Sequence, residues 1–154
     1  MKKKKRKGIW FYGLSGSGKT FASKIILRNI TKSIQIDGDE VRKHISFDLG
    51  YNIRDRKIQI RRILGLVKIS LKSKLFPVAS SVYMDKEVAR ELKKLGVDLI
   101  KIERDLRKII KKHKTYKNKK NVVGRDISLK KISSTLIYNS GGKKFCKAVK
   151  KLIK

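Results

Sequence analysis

The chain has 154 residues, 43 of them lysine or arginine and 12 aspartate or glutamate, for a formal net charge of +31. The length suits a single domain over 1–154, and with 40% hydrophobic residues a core is available, so disorder from low hydrophobicity is excluded over most of it. A lone cysteine, Cys146, excludes a disulfide scaffold, and no apolar stretch approaches the ~18 residues of a membrane span.

The charge alone admits three readings: a nucleic-acid binder, a lysine-biased surface, or a small enzyme with polyanionic ligands. Residues 1–7 are basic, but the apolar run that follows stops at Gly13, unlike a secretory signal. The expected location is the cytoplasm. Residues 1–7 read as a solvated leader before a first strand.

Ile9–Tyr12 is a short apolar run ending in glycine, the pattern of a buried parallel strand. Lys19–Asn29 carries Phe21, Ala22, Ile25 and Ile26 at helical spacing. Ile34–Ile36 predicts a second strand and Asp39–Ile45 a second helix. Ile60, Ile63, Leu64, Val67 and Leu71 make Arg54–Lys72 a long amphipathic helix. Leu75–Ser80 predicts a third strand, in which Pro77 is tolerable near the start or at an edge.

Asp85–Leu95 predicts a helix that Gly96 stops, followed by a strand over Val97–Ile102 and a short helix over Arg104–Lys111. Lys112–Asn121 is lysine-laden and predicts a loop. Thr135–Tyr138 predicts a fifth strand, and Phe145, Val149, Leu152 and Ile153 a C-terminal helix. Strands alternating with helices imply a parallel α/β sheet covered on both faces. His44 and His113 show no metal pattern, Trp10 reads as core, and Cys146 as a helix residue without a catalytic role.

Between the first strand and first helix, Gly13-Leu14-Ser15-Gly16-Ser17-Gly18-Lys19-Thr20 fits G-x-x-x-x-G-K-[ST] in full. Glycines let backbone N–H groups converge on phosphate oxygens, and the helix start adds the positive end of its dipole. In such a loop Gly13, Ser15, Gly16, Ser17 and Gly18 cradle phosphates, Lys19 reaches the β- and γ-phosphates, and the Thr20 hydroxyl coordinates Mg²⁺. A bound nucleoside triphosphate, ATP, is expected.

Asp37-Gly38-Asp39 follows the second strand, whose carboxyl end lies on the same sheet edge as the loop. One aspartate can take a proton from an attacking hydroxyl while the other holds the metal shell. Helix capping is the bland reading of either. Arg42, Arg56, Arg61 and Arg62 follow, and guanidinium groups clamp phosphates. These arginines cannot all share one face, so some should form surface pairs only.

The run GLSGSGKT, IDGDEVR, FDLGY, DRKIQIRRI and PVASS, in order from Gly13 to about Ser81, resembles the adenylylsulfate kinase family. The resemblance implies a P-loop NTPase three-layer sandwich with a parallel sheet of about five strands, a short lysine-rich lid over about 112–126, Mg²⁺ dependence and a homodimer. It implies transfer of the γ-phosphate of ATP to the 3′-hydroxyl of a small nucleotide acceptor, adenylyl sulfate, with no polynucleotide or membrane partner. By position, Asp37 resembles the catalytic base and Asp39 the metal-side aspartate. Arg42 and Arg56 match arginines that hold the acceptor, Tyr51 a base-stacking phenylalanine, Ser80 a serine at the third strand's end, and Lys117 a lid lysine.

Departures fall in the acceptor site. DGDE stands for DGDN, Gln59 for asparagine, Ser81-Val82-Tyr83-Met84 for FISPYR, and Val122-Val123-Gly124 for FTG, which removes the second aromatic of the base sandwich. Stacking on an aromatic contributes roughly 1–3 kcal/mol per base. This pattern is similar to a related class that phosphorylates cytidine diphosphoramidate in capsule biosynthesis. A nucleic-acid-stimulated P-loop ATPase and a kinase of another small-metabolite hydroxyl are the rival readings.

Overall fold

A computed structural model describes residues 6–112, 116, 120–129 and 131–154. Most of the leader, His113, Lys117 and part of the lysine-laden stretch lie outside the described residues.

Five strands, β1 (Gly8–Tyr12), β2 (Ser33–Asp37), β3 (Phe76–Ser81), β4 (Val97–Glu103) and β5 (Thr135–Tyr138), form one sheet in the order β2-β3-β1-β4-β5. Every pairing is parallel. β1 is buried along its whole length because layers cover both its faces. Ile9 and Phe11 pack with Ala22, Ile26, Phe145 and Val149, whereas Trp10 and Tyr12 pack with Ile60, Ile63 and Val67. Alternation along the strand thus builds two cores, one per face.

The first face is closed by α1 (Lys19–Leu27) and the C-terminal α6 (Gly142–Lys150), which a 3₁₀ turn (Lys151–Ile153) extends. The second is closed by α3 (Ile53–Lys72) and α4 (Lys86–Leu95), with α2 (Gly38–His44) beside them. A last helix, α5 (Leu106–Lys112), follows β4. Asn52 caps α3 by accepting from the Asp55 N–H at 2.8 Å, and Asp85 caps α4 by accepting from the Val88 N–H at 2.9 Å. These caps satisfy first-turn donors that have no partner inside the helix.

Pro77 resolves in an instructive way. β3 is an interior strand, but Pro77 is its second residue. Its ring lies against Gly8 of β1, where a β-carbon would stand 2.7 Å from Pro77 Cγ. Glycine opposite proline makes the interior position tolerable. Trp10 is fully buried and its indole N–H donates to Ser81 Oγ at 2.9 Å. Among the described residues no helix is long and apolar enough to cross a membrane.

Candidate active site

The carboxyl ends of β1, β2 and β3 deliver their following residues to one edge, where a cavity of about 850 Å³ opens. Its lining includes Lys19 and Thr20 of the glycine-rich loop, Asp37 and Asp39, and Arg42, Tyr51, Arg56 and Gln59, the positions expected to meet an acceptor. Ser80 lines it as well.

The loop turns into α1 at Gly18, which has φ 109°. A β-carbon there would collide with Asn139 Nδ2, so left-handed backbone and close approach both require glycine. Buried Asn139, just past β5, donates from Nδ2 to Ser17 O at 2.7 Å and accepts from the Gly141 N–H at 2.9 Å. It ties the loop to the sheet's far edge. Ser17 is fully buried, so the loop contributes backbone here rather than a hydroxyl. Lys19 Nζ donates to Leu14 O at 2.9 Å. Desolvation lowers the Lys19 ammonium to about 8, while the Asp39 and Asp37 carboxylates act in the raising direction.

Asp37 combines two tasks that the sequence presented as alternatives. Oδ1 accepts from the Asp39 N–H at 3.0 Å, capping α2. Oδ2 accepts from Ser80 Oγ at 2.9 Å and from Thr20 Oγ1 at 3.3 Å, so the carboxylate faces the loop. Thr20 and Asp39 both line the cavity, and each carries an oxygen able to ligate a metal. No group of three or more His, Cys, Asp or Glu able to hold an ion occurs among the described residues. One hydroxyl and one carboxylate beside a phosphate cradle fit Mg²⁺, which keeps several waters and binds through few protein ligands plus phosphate oxygens.

Arg42 and Arg56 converge on Tyr51. Their guanidinium carbons lie 4.5 and 5.5 Å from its ring centroid. Arg42 also donates to Leu49 O at 3.3 Å and Gly50 O at 2.7 Å. Arg56 donates to Tyr51 O at 2.8 Å and Asn121 O at 2.9 Å. Neither has a carboxylate partner among the described residues. Burial, together with the neighbouring Arg42 charge, holds Arg56 below the usual arginine range. Two unneutralised guanidiniums in one cavity are a site for an anion. Arg61 and Arg62 instead leave the cavity: Arg61 pairs with Asp85 and Glu87, and Arg62 grips Asp48 at 2.5 and 2.8 Å. Gln59 donates to Gly38 O at 3.0 Å, and its Oε1 is buried without a partner among the described residues.

On the other side of the loop sit the described residues of the lysine-laden stretch and those that flank it. Ile109, Tyr116 and Val122 form a small apolar cluster against Leu14. The Tyr116 hydroxyl donates to Ser15 O at 3.2 Å, Arg104 to Gly16 O at 3.3 Å, and Arg125 to Tyr116 O at 2.9 Å. Asp126, held down to about 2 by the Arg125 guanidinium, accepts from the Val122 N–H at 2.9 Å. The expected featureless loop thus contains a buried tyrosine that touches the phosphate loop. Asn139, Arg104 and Tyr116 were not singled out from the sequence. Asn139 alone had a signal, a polar residue at the carboxyl end of a strand. His44 is exposed beside Glu40, and Cys146 is partly buried in α6.

A family model described as adenylylsulphate kinase matches residues 5–122. The adenylyl-sulfate kinase of Buchnera aphidicola subsp. Acyrthosiphon pisum is 36% identical over 91 residues, which covers 53% of this chain and 44% of that protein. The adenylyl-sulfate kinase of Saccharomyces cerevisiae is 33% identical over 102 residues, covering 61% of this chain and 50% of that protein. The chain spans about half the length of the curated relatives it matches. In fold it is similar to the Mycobacterium tuberculosis APS kinase solved in complex with AMPPNP and APS. There the TM-score is 0.80 at 18% identity, over 98% of this chain and 97% of that one.

Proposed function

The chain belongs to the adenylylsulphate kinase family, and on that premise we propose that it transfers the γ-phosphate of ATP to the ribose 3′-hydroxyl of a nucleotide acceptor. The observation that carries this reading is one cavity lined by both a phosphate loop and a second, unneutralised pair of arginines, with the Asp37 carboxylate reaching the loop's Thr20. Two anionic ligands fit that arrangement better than one.

Thr20 and Asp39 would hold Mg²⁺, which when bound would supply charge neutralisation on the phosphates of ATP. Lys19 and the loop N–H groups stabilise charge on the transferring group. Asp37, oriented by Ser80, positions the acceptor hydroxyl and accepts its proton. Arg42 and Arg56 hold the acceptor's anionic groups, Tyr51 supports its base, and Gln59 offers Oε1 to a ligand donor. By resemblance to the family, Lys117 would add a further acceptor contact. The lid excludes water, which would otherwise hydrolyse ATP.

Adenylyl sulfate, for which the relatives are named, is the first acceptor. A cytidine diphosphate derivative such as cytidine diphosphoramidate, with a role in capsule modification, is the second reading. It is favoured by Val122, which lines the cavity from a lid that lacks an aromatic there. We propose a cytoplasmic location, as read from the sequence, and a homodimer, following the family resemblance.

Purified protein with ATP and Mg²⁺ should release ADP only with an acceptor, screened over adenylyl, cytidylyl and sugar alcohols. Asp37→Ala should lower kcat by about 100-fold or more, the scale of general-base catalysis, with ATP affinity little changed. Turnover that needs polynucleotide and collapses with salt would replace this reading with the ATPase one.

A further inference from the structure

Phe47 has no part in the phosphoryl transfer as proposed. It lies in the 45–52 connection between α2 and α3, lines the cavity, and is 80% exposed. Its surroundings are tightly anchored. Ser46 is fully buried and its N–H donates to Val41 O at 2.9 Å, while the Leu49 N–H closes a turn onto Ser46 O at 3.1 Å. Asp48 is gripped at both oxygens by Arg62, and Arg62 also donates to Ile45 O at 3.3 Å. Arg42 holds Leu49 O and Gly50 O, and Asp55 accepts from the Gly50 N–H at 2.7 Å.

The connection is therefore fixed on both sides of Phe47, and the ring is presented outward at the cavity mouth. A large apolar ring held by a fixed frame in the wall of a cavity is available to a ligand there. Tyr51, 48% exposed, lines the same cavity four positions on. The lid offers no aromatic in the described part of that wall, only Val122 and Lys120.

We infer that Phe47 is a specificity-determining residue that supplies a second aromatic contact, beside Tyr51, to a planar heteroaromatic base of the acceptor. The inference rests on the kinase reading of this cavity. Aromatic faces accept any base with little regard to sequence edges. Phe47 would therefore add affinity for the base, and other groups would choose among bases.

The experiment titrates adenylyl sulfate, cytidine diphosphate and ribose 5-phosphate into wild type, Phe47→Ala and Phe47→Trp, each with saturating AMPPNP and Mg²⁺. Steady-state kinetics are run in parallel. At least one nucleotide should bind wild type. Phe47→Ala should weaken it by about 10-fold or more, within the range of base–aromatic stacking, and Phe47→Trp should restore it to within about threefold on the same ground. Ribose 5-phosphate binding and the KM for ATP should not change. Equal nucleotide affinity in Phe47→Ala overturns the inference, as does equal weakening of ribose 5-phosphate or failure of both nucleotides to bind wild type. Absence of phosphoryl transfer in a wild type whose nucleotide binding still depends on Phe47 overturns the kinase reading alone.

Discussion

Asp37 and Ser80 are register partners across the β2–β3 pairing, and their side chains meet at 2.9 Å between Oδ2 and Oγ. The sheet itself thus sets the carboxylate. Backbone register brings the hydroxyl opposite, and the hydroxyl orients the acid that ends β2. Ser80 is 3% exposed, so this contact is shielded from water. A hydrogen bond to a charged group contributes about 1.5–3 kcal/mol. Ser80→Ala should then reduce kcat by about tenfold or more through a misoriented carboxylate. Mg·ATP affinity should stay near wild type, because Thr20 and Lys19 are untouched. Steady-state kinetics and a separate titration with AMPPNP divide the two effects, and an unchanged kcat would remove Ser80 from the catalytic arrangement.

Lys19 gives a pH prediction. Desolvation brings its ammonium to about 8, so below that pH the free protein carries the charge a triphosphate needs. Above it, the lysine is neutral and binding must take up a proton. The dissociation constant for Mg·AMPPNP should be flat from pH 6.5 to 7.5 and rise about tenfold by pH 9, the weight of one protonation at a group of that pKa. Calorimetry in buffers of different ionisation enthalpy should show proton uptake at pH 9 and little at pH 7. Lys19→Arg, always charged, should flatten the profile. A Kd that does not change up to pH 9 in the wild type contradicts this assignment.

The sequence was most legible where periodicity or a motif has a single physical solution. The buried run Ile9–Tyr12 and the helical spacing of Ile60, Ile63, Leu64 and Val67 matched β1 and α3 within two residues. The glycine-rich loop matched its strand–loop–helix setting. Side-chain destinations were less legible. Arg56, Arg61 and Arg62 look alike in sequence, yet α3 turns the first into the cavity and the others toward acids on α4 and the 45–52 connection. Which is which depends on where Asp85, Glu87 and Asp48 lie, a tertiary fact. Phe47 and Tyr116 were hidden for a related reason. A single aromatic in a polar stretch has no period, and only the fold reveals that one is exposed at a cavity while the other is buried on the loop.

Tyr116 makes the contact between the proposed lid and the phosphate loop testable. Its hydroxyl donates to Ser15 O at 3.2 Å, and burial raises its pKa, so it is neutral and a donor at ordinary pH. Tyr116→Phe keeps the ring in its cluster with Ile109 and Val122 and removes only the bond. A neutral hydrogen bond of about 0.5–1.5 kcal/mol corresponds to a loss of two- to about tenfold. KM for ATP should rise by that factor. ATP hydrolysis without acceptor should rise relative to transfer, because a looser lid admits water. Coupling measured as ADP released per acceptor phosphorylated checks this, and wild-type coupling in the variant would mean the bond does not hold the lid.

Asn139 tests whether the phosphate loop draws its shape from the far edge of the sheet. Its amide bridges Ser17 O and the Gly141 N–H while Gly18 leaves it room. Asn139→Ala would strand the Ser17 carbonyl in a buried setting, while the Gly141 N–H is only partly buried, and an unsatisfied buried group costs about 1–3 kcal/mol. Denaturant unfolding should therefore show a stability loss of about 1–3 kcal/mol on that scale, at an unchanged m-value. Asn139→Asp offers the acceptor for Gly141 but no donor for Ser17 O, and places a carboxylate beside the backbone that must bind phosphate. It should weaken AMPPNP binding more than Asn139→Ala does, even where its stability is higher. If the two variants rank the same way in stability and in nucleotide affinity, Asn139 acts on folding alone and the loop's shape is set locally by its glycines.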